Sequence, residues 1–185
     1  MVVVREPTIR ERREDVMKLK FTHVKTAEEI AEVARLAAEI WREYYVSIIS
    51  MEQIEYMIGK YQAVPAITDQ IRHQDYEYYL IHSADSSTVG YMSVRQEEDK
   101  LFLSKFYISK EHRGRGYASQ AMAFLEELCK DRSLSHIWLT VNRHNESSIA
   151  VYEKKGYRTV REQIADIGNG FLMDDYIMEK EISVS

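Results

Sequence analysis

The feature of the sequence that most constrains the fold is an apolar segment, residues 101–108, that runs into a short loop with two glycines, residues 112–118. Aromatic and branched residues fill the segment, as is typical of a strand. Apolar residues after the loop recur every three or four positions, as they do on one face of a helix. The sequence therefore predicts a strand, a tight loop and a helix in direct succession.

Such a junction is suited to bind a phosphate group. Glycine lets the backbone approach a ligand closely, and the start of a helix presents unpaired N–H groups with a partial positive charge. Four basic residues flank the loop, where a pyrophosphate would lie: Lys105, Lys110, Arg113 and Arg115.

The charge of the whole chain has the opposite sign. The chain has 25 lysine and arginine residues against 30 aspartate and glutamate residues, and its formal net charge is −5. A general nucleic-acid-binding protein needs a basic face. The composition therefore predicts no nucleic-acid partner, and the positive charge near the loop is a local feature.

The length of 185 residues is typical of one domain, since domains hold ~100–200 residues. We expect this domain to span residues 18–185. Residues 1–17 are polar and lack a clear period, so we expect them to form a flexible leader. No apolar run approaches the ~18–20 residues of a membrane span, and no signal peptide is evident. These features predict a cytoplasmic protein without a membrane partner.

Neither the cysteine nor the histidines form a pattern typical of metal binding or nucleophilic catalysis. The one cysteine, Cys129, lies on the apolar side of the helix after the loop, so we interpret it as a core residue. His112, His136 and His144 belong to different predicted elements and lack the spacing of metal ligands. We therefore expect no metal site.

The rest of the chain has the element order of a mixed α/β sheet. Before the loop, the patterns predict helices that begin with the capping boxes Thr26-x-x-Glu29 and Ser50-x-x-Gln53, a short helix from Pro65, and a hairpin of residues 77–82 and 88–95.

After the loop, the helix is followed by a strand, residues 136–141. A strand–helix–strand connection is right-handed, and its two strands are parallel. Asn145 then caps a helix on which Tyr152 lies two turns further along, on the same face. Residues 157–163 and 171–182 are the closing strands.

These motifs resemble the GNAT superfamily of acetyl-CoA-dependent N-acetyltransferases, in its bacterial form. Arg113-Gly-Arg-Gly-Tyr-Ala118 matches the family signature R/Q-x-x-G-x-G/A, and residues 142–157 match the helix motif that follows it. Residues 174–180 resemble a closing strand of many bacterial members. The resemblance implies a single α/β domain with a mixed, mostly antiparallel twisted sheet, one parallel strand pair at the cofactor site and about four flanking helices.

The resemblance also implies a site for acetyl-CoA as cosubstrate. Backbone groups of Phe106, Tyr107 and Ile108 would pair with the pantetheine arm, and Asn145 would bind the same arm. The hydroxyl of Tyr152 would be catalytic, because it could protonate or hydrogen-bond to the leaving thiolate. The pyrophosphate would be held by the loop and the start of the helix, that is, by Arg113, Gly114, Arg115, Gly116, Tyr117, Ala118 and Ser119.

The general base is left open by the sequence. Some family members place a glutamate on the strand that corresponds to residues 136–141, where this chain has Thr140. The base could lie elsewhere, be a bound water, or be unnecessary for an amine of low pKa. Asp174 and Asp175 are adjacent on a predicted strand and point to opposite faces, so they make a poor carboxylate pair.

The acceptor is expected to be a primary amine of a small molecule, such as a polyamine or an amino sugar, that attacks the thioester directly. Aromatic and acidic residues in residues 41–45 and 52–56 could line its site, or could be ordinary core and rim residues. Tyr76, Tyr78 and Tyr79 offer further aromatic surface that a homodimer could use.

Three alternatives remain beside this reading. The first is a protein N-acetyltransferase, and the second, from another class, is a non-catalytic module that binds an acyl-CoA. The third is a protein whose glycine loop binds a nucleotide such as ATP. This alternative ranks last because no Walker Gly-Lys-Ser/Thr follows the glycines.

Overall fold

The fold is built on one mixed sheet of seven strands, and the computed structural model describes residues 18–183. The strands are β1 (Lys20–His23), β2 (Tyr76–His82), β3 (Thr88–Glu97), β4 (Lys100–Ile108), β5 (His136–Asn142), β6 (Arg158–Gly168) and β7 (Phe171–Glu181). Their order across the sheet is β1-β2-β3-β4-β5-β7-β6. Every neighbouring pair is antiparallel except β4 and β5. The predicted fold class and its parallel pair are confirmed, whereas the predicted leader, residues 1–17, lies outside the described residues.

The α-helices within residues 18–183 are α1 (Ala27–Tyr44), α2 (Met51–Met57), α3 (Val64–His73), α4 (Tyr117–Asp131) and α5 (Glu146–Lys154). None of them is long and apolar enough to cross a membrane. Between α2 and α3 the chain forms a π-helical turn, Ile58–Gln62, that the sequence does not predict.

The two predicted capping boxes differ in the structure. At α1 both halves form, because the Thr26 hydroxyl accepts from the Glu29 N–H at 3.2 Å and the Glu29 carboxylate accepts from the Thr26 N–H at 2.9 Å. At α2 the Ser50 hydroxyl accepts from the Gln53 N–H at 3.1 Å. The Gln53 amide instead donates to the Leu172 carbonyl at 3.2 Å, so it fixes α2 to β7 rather than closing the box.

The sheet separates two hydrophobic cores. The α4 core includes Val94, Leu101, Leu103, Ala121, Leu125, Cys129, Ile137 and Leu139. The α1–α3 core includes Val33, Ala37, Trp41, Ile54, Ile67, Tyr78 and Tyr91.

Two predictions from the sequence are decided by these cores. Cys129 is fully buried, and burial raises the pKa of its thiol to about 11, which confirms its interpretation as a core residue. Tyr78 and Tyr79 are also buried within the chain. The expected dimer surface at Tyr76, Tyr78 and Tyr79 is therefore wrong for these two residues.

The fourth strand carries a β-bulge at Ser104. Ser93 on β3 pairs with Lys105, and the next residue, Val94, pairs with Leu103, so Ser104 is an extra residue in β4. An extra residue reverses the alternation of side chains along a strand. Lys105 therefore points toward α3. The residues that pack in the α4 core on either side of the bulge are Leu101, Leu103, Phe106 and Ile108.

The parallel strands β4 and β5 pair over part of their length. Residues 100–103 pair with residues 136–139, and the ladder ends there, one residue before the bulge. Beyond that point β4 continues beside β3, and β5 continues beside β7. The two strands separate, and residues 104–108 and 140–142 line the gap between them. Backbone groups on the edges of this gap need partners other than a neighbouring strand.

We expect Gly90→Ala to destabilise the protein by about 1–3 kcal/mol, the usual cost of an overpacked site. Gly90 on β3 lies opposite Ile108, and a Cβ there would overlap the carbonyl oxygen of Tyr107. Urea unfolding measures the loss of stability. The control is Gly59→Ala, where a Cβ would meet no atom within 4 Å. A Gly90→Ala protein as stable as the Gly59→Ala protein would contradict the close approach of β3 and β4.

Candidate active site

A cavity of about 720 Å³ lies where β4 and β5 separate. One end is lined by the glycine loop and the first residues of α4, including Gly114, Gly116 and Ala118. The other end is lined by the end of α1 and by α3, including Trp41 and Gln70. The cavity therefore passes through the sheet and joins its two faces.

The glycine loop has an open backbone next to this cavity. Gly116 precedes the first residue of α4 with a φ of 77°, a left-handed conformation that favours glycine. A Cβ on Gly114 or Gly116 would meet no atom within 4 Å. Within residues 18–183, no side chain caps the first turn of α4. This helix start can therefore receive a phosphate group, as the sequence predicts.

The arginines of the loop are engaged within the protein. The Arg113 Nε donates to the Ile108 carbonyl at 2.9 Å, and its guanidinium pairs with Glu43 at 2.8 Å and lies over the Tyr44 ring. The Arg115 guanidinium donates to the Glu111 carbonyl at 3.0 Å. Arg113 thus joins the loop to β4 and α1, and the role of both residues in phosphate binding stays a prediction.

A lysine that the sequence analysis missed lies beside the first turn of α4. Lys155, at the end of α5, donates to the Ser119 hydroxyl. The two residues are 36 positions apart, and no local pattern relates them. The contact places a further positive charge next to the predicted phosphate site.

Asn145 connects α5 to α1. It is buried, with 4% of its surface exposed, and its side-chain oxygen accepts from the Ser148 N–H at 3.3 Å as the predicted N-cap. The Tyr44 hydroxyl donates to the same oxygen at 2.7 Å. Asn145 lines the cavity, and its role in binding the pantetheine arm stays a prediction.

Tyr152 lines the cavity from α5. Its ring is half-buried, and burial, followed by the nearby phenols of Tyr45 and Tyr44, raises the pKa of Tyr152 well above its ordinary value. The hydroxyl therefore stays protonated at neutral pH. It has the protonation state that a proton donor needs, which is the role predicted for it.

An aromatic wall closes the other end of the cavity. It consists of Trp41, Tyr45 and Tyr107, all of which line the cavity. The rings of Trp41 and Tyr45 lie 4.4 Å apart, and the hydroxyls of Tyr45 and Tyr107 lie 3.2 Å apart. Residues 41–45 thus contribute to the expected acceptor side, although Trp41 is also a core residue.

The residues expected there from α2 lie elsewhere. Glu55 forms an ion pair with Arg42 at 2.6 Å on the surface, and the Tyr56 hydroxyl donates to the Ile167 carbonyl at 2.7 Å. Glu52, Glu55 and Tyr56 do not line the cavity. Of the two possibilities that the sequence leaves open for this segment, the structure favours ordinary rim residues, since Glu55 is engaged by Arg42 and Tyr56 by Ile167.

A single carboxylate reaches the cavity from β7. Asp174 and Asp175 point to opposite faces, as predicted: Asp174 pairs with Arg143 at 2.7 Å, and Asp175 lines the cavity. Asp175 is 6% exposed, and its Oδ1 is buried without a hydrogen-bond partner within residues 18–183. Burial, and then the charge of Asp174, raise the pKa of Asp175 to about 6. The sequence correctly predicts that the two acids do not form a pair, but it does not predict that Asp175 alone lines a cavity.

Asp175 also lies near the position of Thr140. On the paired strands β5 and β7, Thr140 is opposite Ile177, and Asn142 is opposite Asp175. Thr140 and Asn142 both line the cavity. The cavity thus has a carboxylate on β7, the strand next to the one on which the sequence lacks an acid.

Lys105 lies at the α3 end of the cavity rather than beside the glycine loop. The bulge at Ser104 turns its side chain to that face, which corrects the expectation that it lies near a pyrophosphate. Its amine donates to the Gln70 side-chain oxygen at 2.7 Å and to the Tyr78 hydroxyl. It is 7% exposed, and burial lowers the pKa of Lys105 to about 7.

No group of three or more His, Cys, Asp or Glu residues in the described part of the chain could hold a metal ion.

The sequence shows similarity to known acetyltransferases. Residues 34–157, well over half of the chain, match the Acetyltransferase (GNAT) family. The spermidine N(1)-acetyltransferase of Thermoplasma acidophilum is 25% identical over 168 residues, which cover 89% of this chain and 97% of that relative.

Two solved structures show the same fold. The PaiA N-acetyltransferase from Thermoplasma acidophilum in complex with coenzyme A has a TM-score of 0.73 and 22% identity, covering 89% of this chain and 99% of its own. The spermidine N-acetyltransferase from Vibrio cholerae in complex with CoA and spermine has a TM-score of 0.64 and 15% identity. The match covers 89% of this chain and 95% of that one.

We expect Lys105→Met to remove a pH dependence of stability. Between about pH 7 and pH 10 the unfolded chain holds a proton on Lys105 that the folded chain releases, so wild-type stability rises with pH through this window. Relative to Lys105→Met, the rise should be on the order of 1–3 kcal/mol. Tyr78 still donates to Gln70 in the variant, so no partner is left unpaired.

Urea unfolding at several pH values up to about 9.5, below the titration of ordinary phenols, measures this difference. The matched control is Lys20→Met on β1, at an exposed lysine, for which the difference should stay constant. A constant difference for Lys105→Met as well would contradict the burial of an uncharged amine.

Proposed function

Because the chain belongs to the acetyltransferase (GNAT) family and is an acyltransferase, we propose that it transfers the acetyl group of acetyl-CoA to a primary amine of a small molecule. The observation that carries this proposal is the separation of β4 and β5 beside the open glycine loop. The cytoplasmic location and the homodimer stay predictions.

The donor side fits the parts of this cosubstrate. The gap between the strands exposes a strand edge at residues 106–108, and an extended arm with amide groups can add to such an edge. The uncapped first turn of α4, with Gly114 and Gly116 before it, suits a pyrophosphate. Acetyl-CoA supplies a thioester, which is an acetyl group activated toward attack by an amine.

Tyr152 is the proposed proton donor. It reaches the cavity from α5, and its phenol stays protonated because burial raises its pKa. A neutral phenol can hydrogen-bond to the sulfur as negative charge develops there, and can then protonate it. After burial, the nearby phenols of Tyr45 and Tyr44 raise this pKa further.

The aromatic residues at the end of the cavity away from the glycine loop favour a small acceptor. Rings of Trp41, Tyr45 and Tyr107 line it, and aromatic faces attract cations such as an ammonium group. The similarity over 89% of the chain to a spermidine N(1)-acetyltransferase makes polyamines the first compounds to test. A protein amine is the second candidate acceptor.

The first test is calorimetric titration with acetyl-CoA, with ATP as the control ligand. We expect saturable binding of acetyl-CoA at about micromolar Kd, near −8 kcal/mol, and none of ATP. Mass spectrometry then identifies acetylated products from spermidine, an amino sugar and a lysine peptide. Products from the peptide alone would favour a protein acetyltransferase. Binding without any product would favour a non-catalytic acyl-CoA-binding module.

We expect Tyr152→Phe to lower kcat by about 100-fold, at the low end of general acid catalysis. The Kd for acetyl-CoA should change by no more than about tenfold, since one neutral hydrogen bond contributes ~0.5–1.5 kcal/mol. Initial rates and calorimetry give the two values.

The matched control for this variant is Tyr157→Phe. The Tyr157 ring lies 5.5 Å from that of Tyr152, and its hydroxyl donates to the Met122 sulfur in the α4 core, outside the cavity lining. We expect near wild-type turnover from this control. Equal turnover in both variants would show that the Tyr152 hydroxyl has no role in the reaction.

A further inference from the structure

We propose that Asp175 binds the ammonium group of the acceptor and removes its proton, so that β7 supplies the catalytic base of the transfer. This inference rests on the function proposed above and adds the residue that receives the amine. The strand that holds it is the one that pairs with β5 along the gap.

The position of Asp175 is the first support. Among the described residues that line the cavity, Asp175 is the one carboxylate, and the basic side chains there are Lys105, His112 and Arg113. Arg113 pairs with Glu43, and Lys105 donates to neutral groups at the α3 end. An ammonium group that enters the cavity therefore has a single carboxylate to approach.

The unmet hydrogen bond of Asp175 is the second support. A buried carboxylate oxygen without a donor costs stability, and proteins commonly retain such groups where a ligand completes them. Oδ1 of Asp175 is in this state and is itself closed to solvent, so the ammonium group approaches the carboxylate at its other oxygen. The neighbouring Asp174 shows the ordinary solution, because Arg143 supplies its donor at 2.7 Å and also pairs with Glu162. No such cation accompanies Asp175 among the described residues.

The surroundings of Asp175 set its basicity. The titratable groups around it are the Tyr45 phenol, from the turn after α1, and the adjacent Asp174. Its strand neighbours across β5 and β6 are Asn142 and Gln163, which are neutral. Burial and the charge of Asp174 raise its pKa to about 6. At neutral pH the carboxylate is ionised, and it is a stronger base than an ordinary aspartate.

The proton balance of the reaction is then complete. The acceptor enters as an ammonium ion, and one of its protons passes to the carboxylate of Asp175, which leaves a nitrogen with a free electron pair. That nitrogen forms a bond to the acetyl carbon, and the carbon–sulfur bond breaks with its electrons on sulfur. Tyr152 gives its proton to the sulfur. The second proton lost by nitrogen as the amide forms restores the Tyr152 phenol, and Asp175 later releases its proton to water.

The test compares Asp175→Asn with Asp174→Asn as the matched control. We expect Asp175→Asn to lower kcat/KM for the amine by about 100-fold or more, with a Kd for acetyl-CoA within about threefold of wild type. In the wild type, kcat/KM rises through about pH 6 as Asp175 ionises. This rising limb of the pH profile should be absent from the Asp175→Asn variant. Asp174→Asn should keep its activity at neutral pH and shift the limb to lower pH, because a charge that raises the pKa of Asp175 is removed.

Thermal unfolding gives a readout that does not depend on turnover. A carboxylate whose pKa is raised in the folded state costs stability above that pKa, and the cost is absent below the unfolded pKa of about 3.9. We therefore expect Asp175→Asn to raise the Tm at neutral pH by about 2–4 °C or more. The gain should vanish near pH 4, since Asp175 is then protonated in the folded wild type.

The possible outcomes distinguish the assignment of Asp175 from the proposed function. A lower Tm for Asp175→Asn, or wild-type kcat/KM with an unchanged limb near pH 6, would overturn the assignment of Asp175 while leaving acetyl transfer intact. A wild-type protein that acetylates no amine would instead overturn the proposed function, and the assignment with it.

Discussion

The structure depends on the point at which two parallel strands stop pairing. The β4–β5 ladder ends at Leu103 and Leu139, and the bulge at Ser104 follows at once. Each strand keeps its other neighbour, so the sheet stays whole while a gap opens inside it. Backbone groups at a strand edge require partners. The gap therefore leaves backbone groups with which an extended ligand could pair, and it makes the cavity continuous from one face of the sheet to the other.

Desolvation determines the chemistry along this cavity. Burial raises the pKa of Asp175 and of Tyr152 and lowers the pKa of Lys105, so in each case it favours the neutral form. Asp175 and Lys105 both come to titrate near neutral pH, whereas the phenol moves away from it. The same cavity is thus lined by two groups that exchange protons near neutral pH, Asp175 and Lys105, and by the Tyr152 phenol, which keeps its proton. Acid–base catalysis uses groups of both kinds.

The sequence predicts those parts of the site that local patterns determine. The strand before Gly114, the helix after Gly116, the cap at Asn145 and the placement of Tyr152 follow from periodicity, glycine and capping residues within short segments. Their geometry in the structure agrees with these predictions.

What the sequence could not predict arises from pairing between distant segments. The bulge at Ser104 follows from the register of β3 against β4, and it decides on which side of the sheet Lys105 lies. The Gln53 side chain leaves its capping box for a carbonyl on β7. Asp175 differs from Asp174 in the face it occupies and in the absence of an arginine among its described neighbours. The one local signal available was an acid between two apolar residues on the same face of the strand, Met173 and Ile177.

The division of the interior into two cores separates two kinds of evolutionary change. The α4 core supports the loop and helix of the proposed donor site, whereas the α1–α3 core supports the aromatic wall of the proposed acceptor site. Substitutions in the second core can reshape the acceptor wall while the packing under the glycine loop stays as it is, because the sheet lies between them. On the proposed function, such an architecture would let acceptor preference change through many small substitutions without altering donor recognition.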